Sequence, residues 1–265
     1  MCEIFHDTED KKLMNEHVAP FFLKGSIKNE CILMIHGYTG SPADMLPLGE
    51  FLNDNGSGYD IYGILLPQHG TKIEDMLESD WKKWVLYASG KLEYLSERYS
   101  KVSVIGFSMG GDISICIAAS HKVNKIICMG TPILIRNKLY FIAEFLSLFR
   151  KYTYWEKSNP VPGEIVYDYK TGYGGMPVRS LGELRNITIA TYNRLKRIKQ
   201  PILIVHGLKD RTVHGKSPFI IFDRVKSEYK ELLLLESSGH NVIRSPERDK
   251  LFNACKRFLA EEYNK

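Results

Sequence analysis

The chain has 265 residues, 44% hydrophobic and 25% charged, which allows a sizeable core in one or two domains and excludes disordered, collagen-like and fibrous classes. Its formal net charge of +5 is dispersed among mixed acidic and basic residues, which disfavours nucleic-acid binding. No apolar run approaches the roughly 18 residues of a membrane-spanning helix, so no stable membrane insertion is expected.

The N-terminus and the cysteines predict a cytoplasmic protein. The first residues, MCEIFHDTEDKK, are acidic and polar and contain no apolar signal region. The cysteines follow no metal-binding or CxxC spacing, and their odd number indicates a reducing compartment. They are Cys2, Cys31, Cys116, Cys128 and Cys255.

Short apolar runs recur along the chain and predict buried strands. Because these runs are continuous rather than alternating, they are typical of a parallel sheet covered by helices on both faces. The predicted strands are Cys31–Ile35, Asp60–Leu66, Val102–Gly106, Lys125–Met129, Pro201–Val205 and Glu231–Leu235.

Amphipathic stretches separate these strands and predict helices. Asp80 lies near the start of one of them, where a carboxylate suits the helix dipole. The alternation of strands and helices predicts an α/β fold with a doubly wound, mostly parallel sheet. The predicted helices are Pro42–Asn53, Ser79–Arg98, Asp112–Ala119, Asn186–Ile198 and Pro246–Glu262.

One segment interrupts this rhythm, since no strand is predicted between Pro132 and Pro201. We expect residues 133–185 to form an inserted helical lid, and residues 1–132 and 186–265 to form the core domain. Within the lid, Ile133–Arg150 is amphipathic and Tyr152–Met176 is expected to be irregular. The apolar face of the lid helix either seats the lid on the core or lines a pocket; it comprises Leu139, Ile142, Phe145, Leu146 and Phe149.

A serine nucleophile is indicated in mid-chain, where Gly106-Phe107-Ser108-Met109-Gly110 matches the pattern G-x-S-x-G. An apolar strand runs directly into this motif, and a helix of small residues follows it. A strand–turn–helix junction of this kind is so tight that a Cβ atom at either glycine would clash. The context therefore favours Ser108 as a nucleophile over an incidental serine in a glycine-rich turn.

A serine hydroxyl needs a neighbouring base, and the base needs a group that fixes its tautomer. Asp210 follows the strand Pro201–Val205, and His240 follows the strand Glu231–Leu235. Reactive groups in open α/β sheets gather at the carboxyl ends of strands, where Ser108, Asp210 and His240 all fall. The sequence thus predicts a catalytic triad in the chain order Ser108, Asp210, His240.

Other acids and histidines fit structural roles better. Asp112 is expected to cap the helix after the serine motif, and Glu183 and Asp168 fall in the predicted lid. Local packing, capping or exposure to solvent accounts for five further histidines: His6, His17, His121, His206 and His214.

A tetrahedral intermediate needs two backbone donors for its oxygen. One is expected from Met109, the residue after the nucleophile, and the other from Tyr38 in the loop after the first predicted strand. Gly37 lets that loop turn toward the site, and His36 is expected to hold the loop in place. The Tyr38 ring fits the lining of an acyl pocket and a place in the core equally well.

Together these motifs resemble the α/β-hydrolase superfamily, and within it the small bacterial carboxylesterases and monoacylglycerol lipases. The resemblance covers nearly the whole chain. It includes PFFLKG at 20–25, HGYTGSPADM at 36–45, GFSMGG at 106–111, Thr131-Pro132, the Asp210 loop and Ser238-Gly239-His240.

The resemblance implies the α/β-hydrolase fold, with a short helical lid over an apolar acyl pocket. It also implies hydrolysis of short- to medium-chain acyl esters or of monoacylglycerols. By position it makes Ser108, Asp210 and His240 the triad, and Tyr38 and Met109 the oxyanion hole. No metal or organic cofactor is required, and the expected partner is a small acyl ester.

The chain departs from the family pattern at one loop. The family usually has Pro-Gly-His-Gly where this chain has Pro67-Gln68-His69-Gly70. Gln68 must therefore adopt the backbone conformation of the family's glycine, or the turn differs.

Several other reactions use the same triad. Acyl thioester hydrolysis, amide or peptide hydrolysis, and aryl-ester hydrolysis of the cinnamoyl or feruloyl type stay open at this point. Dehalogenases of this fold use an aspartate nucleophile, so Ser108 argues against that class. A non-catalytic binder of an apolar ligand is disfavoured because the chain retains every triad member. The sequence does not define an oligomeric state.

Overall fold

The computed structural model describes residues 12–136, 147–154, 163–166 and 169–263. Seven of its strands form one central sheet, and β6 and β7 form a separate antiparallel pair. The strands are β1 (Phe21–Leu23), β2 (Glu30–Ile35), β3 (Asp60–Ile64), β4 (Lys101–Phe107), β5 (Ile126–Met129), β6 (Tyr152–Tyr154), β7 (Gly175–Pro177), β8 (Ile202–Gly207) and β9 (Lys230–Leu235).

The central sheet has the strand order β1-β3-β2-β4-β5-β8-β9. All its neighbours pair in parallel except β1, which pairs antiparallel with β3 at the edge. This confirms the predicted α/β fold with a doubly wound, mostly parallel sheet, and all six predicted strands are present. The three-residue β1 was not predicted, because so short a run carries no periodicity.

Six α-helices are described, and they cover both faces of the sheet because alternate strand residues point to opposite sides. On β2, Leu33 belongs to the core on one face and Ile32 to the core on the other. Helices α2 to α5 pack on the first face, and α1 and α6 pack on the second. The helices are α1 (Leu46–Asn53), α2 (Trp81–Ser96), α3 (Met109–Ala118), α4 (Ser180–Arg194), α5 (Ser217–Arg224) and α6 (Arg248–Ala260).

The predicted start of α2 is confirmed, and the predicted start of α3 is wrong. Asp80 caps α2, its carboxylate accepting from the Lys82 N–H at 2.8 Å. Helix α3 begins at Met109 rather than Asp112, with Ser108 as its N-cap residue. The predicted capping role of Asp112 is therefore wrong. The sharp turn at Ser108 starts the helix three residues earlier and leaves Asp112 fully buried inside its first turns.

Residues 133–185, called the inserted segment below, also differ from the expectation where they are described. Helix α4 begins at Ser180, six residues before the predicted start, and Gly182 in its first turn is what weakened the helical pattern. The pair β6–β7 lies where no strand was predicted. Phe149 is 78% exposed and does not seat the segment on the core. The other residues of the predicted apolar lid face lie outside the described residues: Leu139, Ile142, Phe145 and Leu146.

Within the described ranges, no helix combines the length and apolarity needed to cross a bilayer.

Candidate active site

Ser108 lies at the junction between β4 and α3, at the carboxyl edge of the sheet. Its backbone has φ 53° and ψ −122°, a conformation that costs energy for any residue with a Cβ atom. The Ser108 N–H donates to the Met129 carbonyl at 2.7 Å, which anchors the turn to β5. The turn therefore holds the side chain in one direction at the N-terminus of α3.

The flanking glycines are required by close backbone contacts. A Cβ atom on Gly106 would lie 2.2 Å from the Gly110 carbonyl oxygen, and one on Gly110 would lie 2.1 Å from the Ile35 carbonyl oxygen. Both distances are far below any tolerated contact, so the pattern G-x-S-x-G is imposed here by the packing of α3 against β4 and β2.

The structure brings Ser108, His240 and Asp210 together in one hydrogen-bonded chain. The Ser108 hydroxyl lies 3.0 Å from Nε2 of His240, and Nδ1 of His240 lies 2.7 Å from Oδ2 of Asp210. The Asp210 carboxylate accepts a hydrogen bond from the Nδ1–H of His240, which leaves the lone pair of Nε2 facing the serine. The Phe107 ring packs against the imidazole, with 5.2 Å between ring centroids.

Asp210 is held in a dense set of donors although it is almost fully buried. Its Oδ1 accepts from the N–H groups of Thr212 and Val213 at 2.7 and 2.9 Å. Burial alone would raise the pKa of Asp210, but the hydrogen bonds from His240, Val213 and Thr212 outweigh it, and the pKa is lowered. The carboxylate is thus stabilised in its charged form.

The loop before His240 is shaped by the Glu247 carboxylate. Glu247 accepts from the Ser237 N–H at 2.7 Å, the Glu236 N–H at 3.2 Å and the Ser238 hydroxyl at 2.7 Å. Sequence reasoning missed this residue, because a glutamate at the start of a C-terminal helix carries no distinguishing signal.

The loop after β2 passes directly beside the nucleophile. A Cβ atom on Gly37 would lie 3.2 Å from the Cβ of Ser108. His36 holds this loop as expected: its Nδ1–H donates to the Gly37 carbonyl at 2.8 Å, and its Nε2 accepts from the Leu66 N–H at 3.1 Å. Burial and the neighbouring His69 hold the pKa of His36 well below its ordinary value, so the ring is neutral.

The Tyr38 side chain contacts Ser180 and Trp84. Its hydroxyl bonds to the hydroxyl of Ser180 at the start of α4, and its ring packs edge-on against Trp84 with 6.1 Å between centroids. Burial raises the pKa of the Tyr38 phenol, so it stays protonated. The ring is partly buried and packs against the core, and its predicted part in lining an acyl pocket stays a prediction.

Gln68 adopts a left-handed backbone conformation with φ 63°. It therefore takes a backbone conformation that favours glycine, as the departure at this position requires if the turn is unchanged. The Gln68 carbonyl accepts a hydrogen bond from the Tyr173 hydroxyl at 3.2 Å, which ties the turn to the inserted segment.

Several alternative acids and histidines lie apart from the hydrogen-bonded chain. The Glu183 carboxylate accepts from the Trp81 N–H at 3.1 Å. His121 contacts the Ile117 carbonyl and Glu93. His206 is buried within β8, and Asp168 lies outside the described residues. No group of three or more potential metal ligands is clustered within the described part of the chain.

The class of protein is defined by the sheet topology and by a serine on a strained turn between β4 and α3: this is an α/β-hydrolase. More narrowly, the chain belongs to the Hydrolase_4 family, described as serine aminopeptidase, S33, whose model matches residues 27–247.

Named relatives support this membership. The chain is 28% identical to a carboxylesterase of Bacillus subtilis (strain 168), over 91% of this chain and 95% of that protein. It is 31% identical to a thermostable monoacylglycerol lipase of Bacillus sp. (strain H-257), over 79% of this chain and 82% of that protein. The chain therefore belongs to an enzyme family whose relatives named here are carboxylic ester hydrolases.

The fold is shared with solved structures as well. A metagenome-derived lipolytic enzyme superposes with a TM-score of 0.84, covering 93% of this chain and 99% of that one, at 24% identity. At this identity the comparison shows the α/β-hydrolase fold alone.

Proposed function

We propose that this protein is a serine carboxylic ester hydrolase that cleaves short- to medium-chain acyl esters, including monoacylglycerols. The observation that carries the proposal is the chain of hydrogen bonds from Ser108 Oγ to His240 Nε2 at 3.0 Å and from His240 Nδ1 to Asp210 Oδ2 at 2.7 Å. The carboxylesterase and monoacylglycerol lipase relatives support the ester as substrate.

The reaction has two acyl-transfer steps. Ser108 Oγ attacks the ester carbonyl while His240 Nε2 takes the hydroxyl proton, and Asp210 stabilises the imidazolium that forms. Collapse of the tetrahedral intermediate breaks the ester bond, and His240 returns the proton to the departing alcohol. Water then attacks the acyl-serine in the same way, releasing the carboxylic acid and restoring Ser108.

The N–H groups of Met109 and Tyr38 would stabilise the oxyanion. Met109 is the first residue of α3, where the helix dipole favours negative charge. The contact of Gly37 with Ser108 supports the assignment of the Tyr38 N–H. Loss of one such donor is expected to raise the barrier by about 3 kcal/mol.

Residues 133–185 are proposed to cover the acyl site as a lid. Support comes from their contacts with the site loops. The Tyr173 N–H donates to the Thr39 carbonyl at 3.0 Å, and the Ile165 N–H donates to the Arg244 carbonyl at 2.9 Å.

A substrate panel tests this function against its alternatives. It comprises p-nitrophenyl esters from acetate to palmitate, a 1-monoacylglycerol, feruloyl and thioester substrates, and amino-acyl p-nitroanilides. We expect the highest kcat/KM for an alkyl ester of short or medium chain. A thioester, a feruloyl ester or an anilide that is cleaved more efficiently than every alkyl ester would replace the proposal with the corresponding activity.

A further inference from the structure

A buried ion pair joins the two loops that flank Ser108. Arg244 Nη2 donates to Oδ1 of Asp44, although the two residues are 200 positions apart. Their side chains are 15% and 10% exposed. Asp44 follows the loop after β2, and Arg244 lies in the loop between His240 and α6. The pair thus links the segment that carries the Tyr38 N–H to the segment that carries the imidazole.

Asp44 is fitted closely to its loop. Its Oδ2 accepts from the Ser41 N–H at 3.3 Å. A Cβ atom on Gly40 would lie 2.4 Å from that same oxygen, so the carboxylate occupies space that any other residue at position 40 would need. The Gly40 N–H in turn donates to the Gly37 carbonyl at 3.1 Å, and Gly37 is the residue that contacts Ser108.

Arg244 is connected just as directly to the histidine. The Val242 N–H donates to the His240 carbonyl at 3.0 Å, and both Val242 and Ile243 are fully buried. The Arg244 N–H donates to Asn241 Oδ1 at 3.3 Å. Because residues 241–243 are short and held by these contacts, the position of the Arg244 guanidinium is coupled to the position of the His240 backbone.

The same guanidinium reaches the inserted segment. Arg244 Nη2 donates to the Thr171 hydroxyl at 2.7 Å. The next residue, Gly172, is so close to the loop after β2 that a Cβ atom there would lie 2.3 Å from the Thr39 carbonyl oxygen. Arg244 therefore contacts Asp44 and the inserted segment through one nitrogen, Nη2, at the end of a side chain longer than that of lysine.

A buried ion pair is weak evidence for stability, because desolvation of both charges offsets their attraction. It does fix geometry, since its hydrogen bonds are directional. We propose that Arg244 is a positioning residue that acts through Asp44. It holds the loop that carries His240 and the loop after β2, which carries Tyr38, at the separation that ester hydrolysis requires. This inference rests on the proposed function.

The test compares kcat and KM for p-nitrophenyl butyrate in Asp44→Asn, Arg244→Met, Arg244→Lys and the double variant Asp44→Asn/Arg244→Met. Asp60→Asn is the matched control, because Asp60 is also a buried carboxylate and accepts hydrogen bonds from Lys24 and Tyr99. It lies at the N-terminal end of β3, whereas Ser108 lies at the carboxyl edge of the sheet. Thermal unfolding is measured for every variant.

A misplacement of about 1 Å costs about 100-fold in rate, so we expect kcat to fall about 10- to 100-fold in Asp44→Asn and Arg244→Met, with KM changed less than threefold. The double variant should lose no more kcat than the more impaired single variant, because both substitutions break the same ion pair. Arg244→Lys keeps the charge on a shorter side chain, and its kcat should fall about 10-fold. Asp60→Asn should lower the melting temperature and leave kcat unchanged.

The inference is overturned if Asp44→Asn and Arg244→Met keep kcat within twofold of wild type while losing as much thermal stability as Asp60→Asn. It is also overturned if Arg244→Lys keeps the wild-type kcat. A double variant whose loss of kcat is the product of the two single losses would overturn it as well. A loss that appears in KM alone also overturns it. A wild-type protein that hydrolyses no ester would instead refute the proposed function.

Discussion

Nδ1 of His240 lies 2.7 Å from Oδ2 of Asp210, across the ends of the neighbouring strands β8 and β9. Each residue comes from a loop after its strand, and the parallel register brings the two loops side by side. A Cβ atom on Gly207 would lie 2.2 Å from the Gly239 carbonyl oxygen, which shows how closely the two loops approach.

Asp210→Asn is predicted to reduce kcat about 10⁴-fold, because an amide cannot fix the imidazole tautomer or stabilise its charged form. Steady-state hydrolysis of p-nitrophenyl butyrate measures this, with near-UV circular dichroism to show that the variant keeps its packing. A loss of less than tenfold would mean that Asp210 does not orient the base.

The same variant should show a characteristic stability profile. The pKa of Asp210 is lowered in the folded protein, so its charged form contributes stability that is present above the ordinary pKa of 3.8 and is lost as the pH falls through the folded value. Urea unfolding of wild type and Asp210→Asn should therefore differ most near neutral pH and converge on acidification. A constant difference would contradict the assigned hydrogen bonds.

Asp112 is expected to make stability depend on pH in the opposite direction to Asp210. It is fully buried four residues after Ser108, and neither carboxylate oxygen has a hydrogen-bond partner among the described residues. Complete burial raises the pKa of Asp112 well above 3.8, and the nearby Thr191 hydroxyl offsets only part of that rise. The folded protein therefore holds a proton that the unfolded chain releases, and stability falls as the pH rises above 3.8.

Asp112→Asn removes this proton linkage. As the pH rises, the unfolding free energy of the variant minus that of wild type should increase by up to about 1.4 kcal/mol per pH unit. Urea unfolding at pH 5, 6, 7 and 8 measures the gain. Parallel profiles for the two proteins would show that the Asp112 carboxyl is charged in the folded state.

Gly110→Ala is predicted to cost at least about 3 kcal/mol of unfolding free energy and to abolish hydrolysis, because its Cβ would lie 2.1 Å from the Ile35 carbonyl oxygen. Gly90→Ala is the control: Gly90 lies within α2, and no atom lies within 4 Å of a Cβ there. This second change should stabilise the protein by about 0.5–1 kcal/mol. Comparable stability losses in both variants would refute the close contact at Gly110.

Gln68→Gly should be more stable than Gln68→Ala by about 1 kcal/mol, because only glycine adopts φ 63° without strain. Both variants lack the side-chain amide, so their difference isolates the backbone. Thermal unfolding measures it, and equal melting temperatures would show that this turn is unstrained.

The sequence predicts the strands and the serine motif well because each is set by local chemistry. Continuous apolar runs indicate buried strands wherever they fall, and the glycines at 106 and 110 are dictated by contacts that any such turn must make. Ser108, Asp210 and His240 could be selected because each follows a predicted strand at its carboxyl end.

Long-range polar contacts could not be predicted in this way. Nothing near Asp44 or Arg244 in the sequence distinguishes them from surface charges, since their pairing depends on how two distant loops meet. The same holds for Asp112, which looks like a helix cap until the turn at Ser108 moves the helix start to Met109. The short strands β6 and β7 depend on each other for pairing and carry no periodicity of their own.

The central claim is that Ser108 is the nucleophile of an ester hydrolase, and the direct test is the turnover of p-nitrophenyl butyrate by wild type and Ser108→Ala side by side. Ser120→Ala, which changes an exposed serine just after α3, is the control and should match wild type. We predict that wild type turns over and that Ser108→Ala loses at least about 10⁴-fold in kcat. Equal rates in Ser108→Ala and wild type, or no hydrolysis by wild type, would contradict the claim.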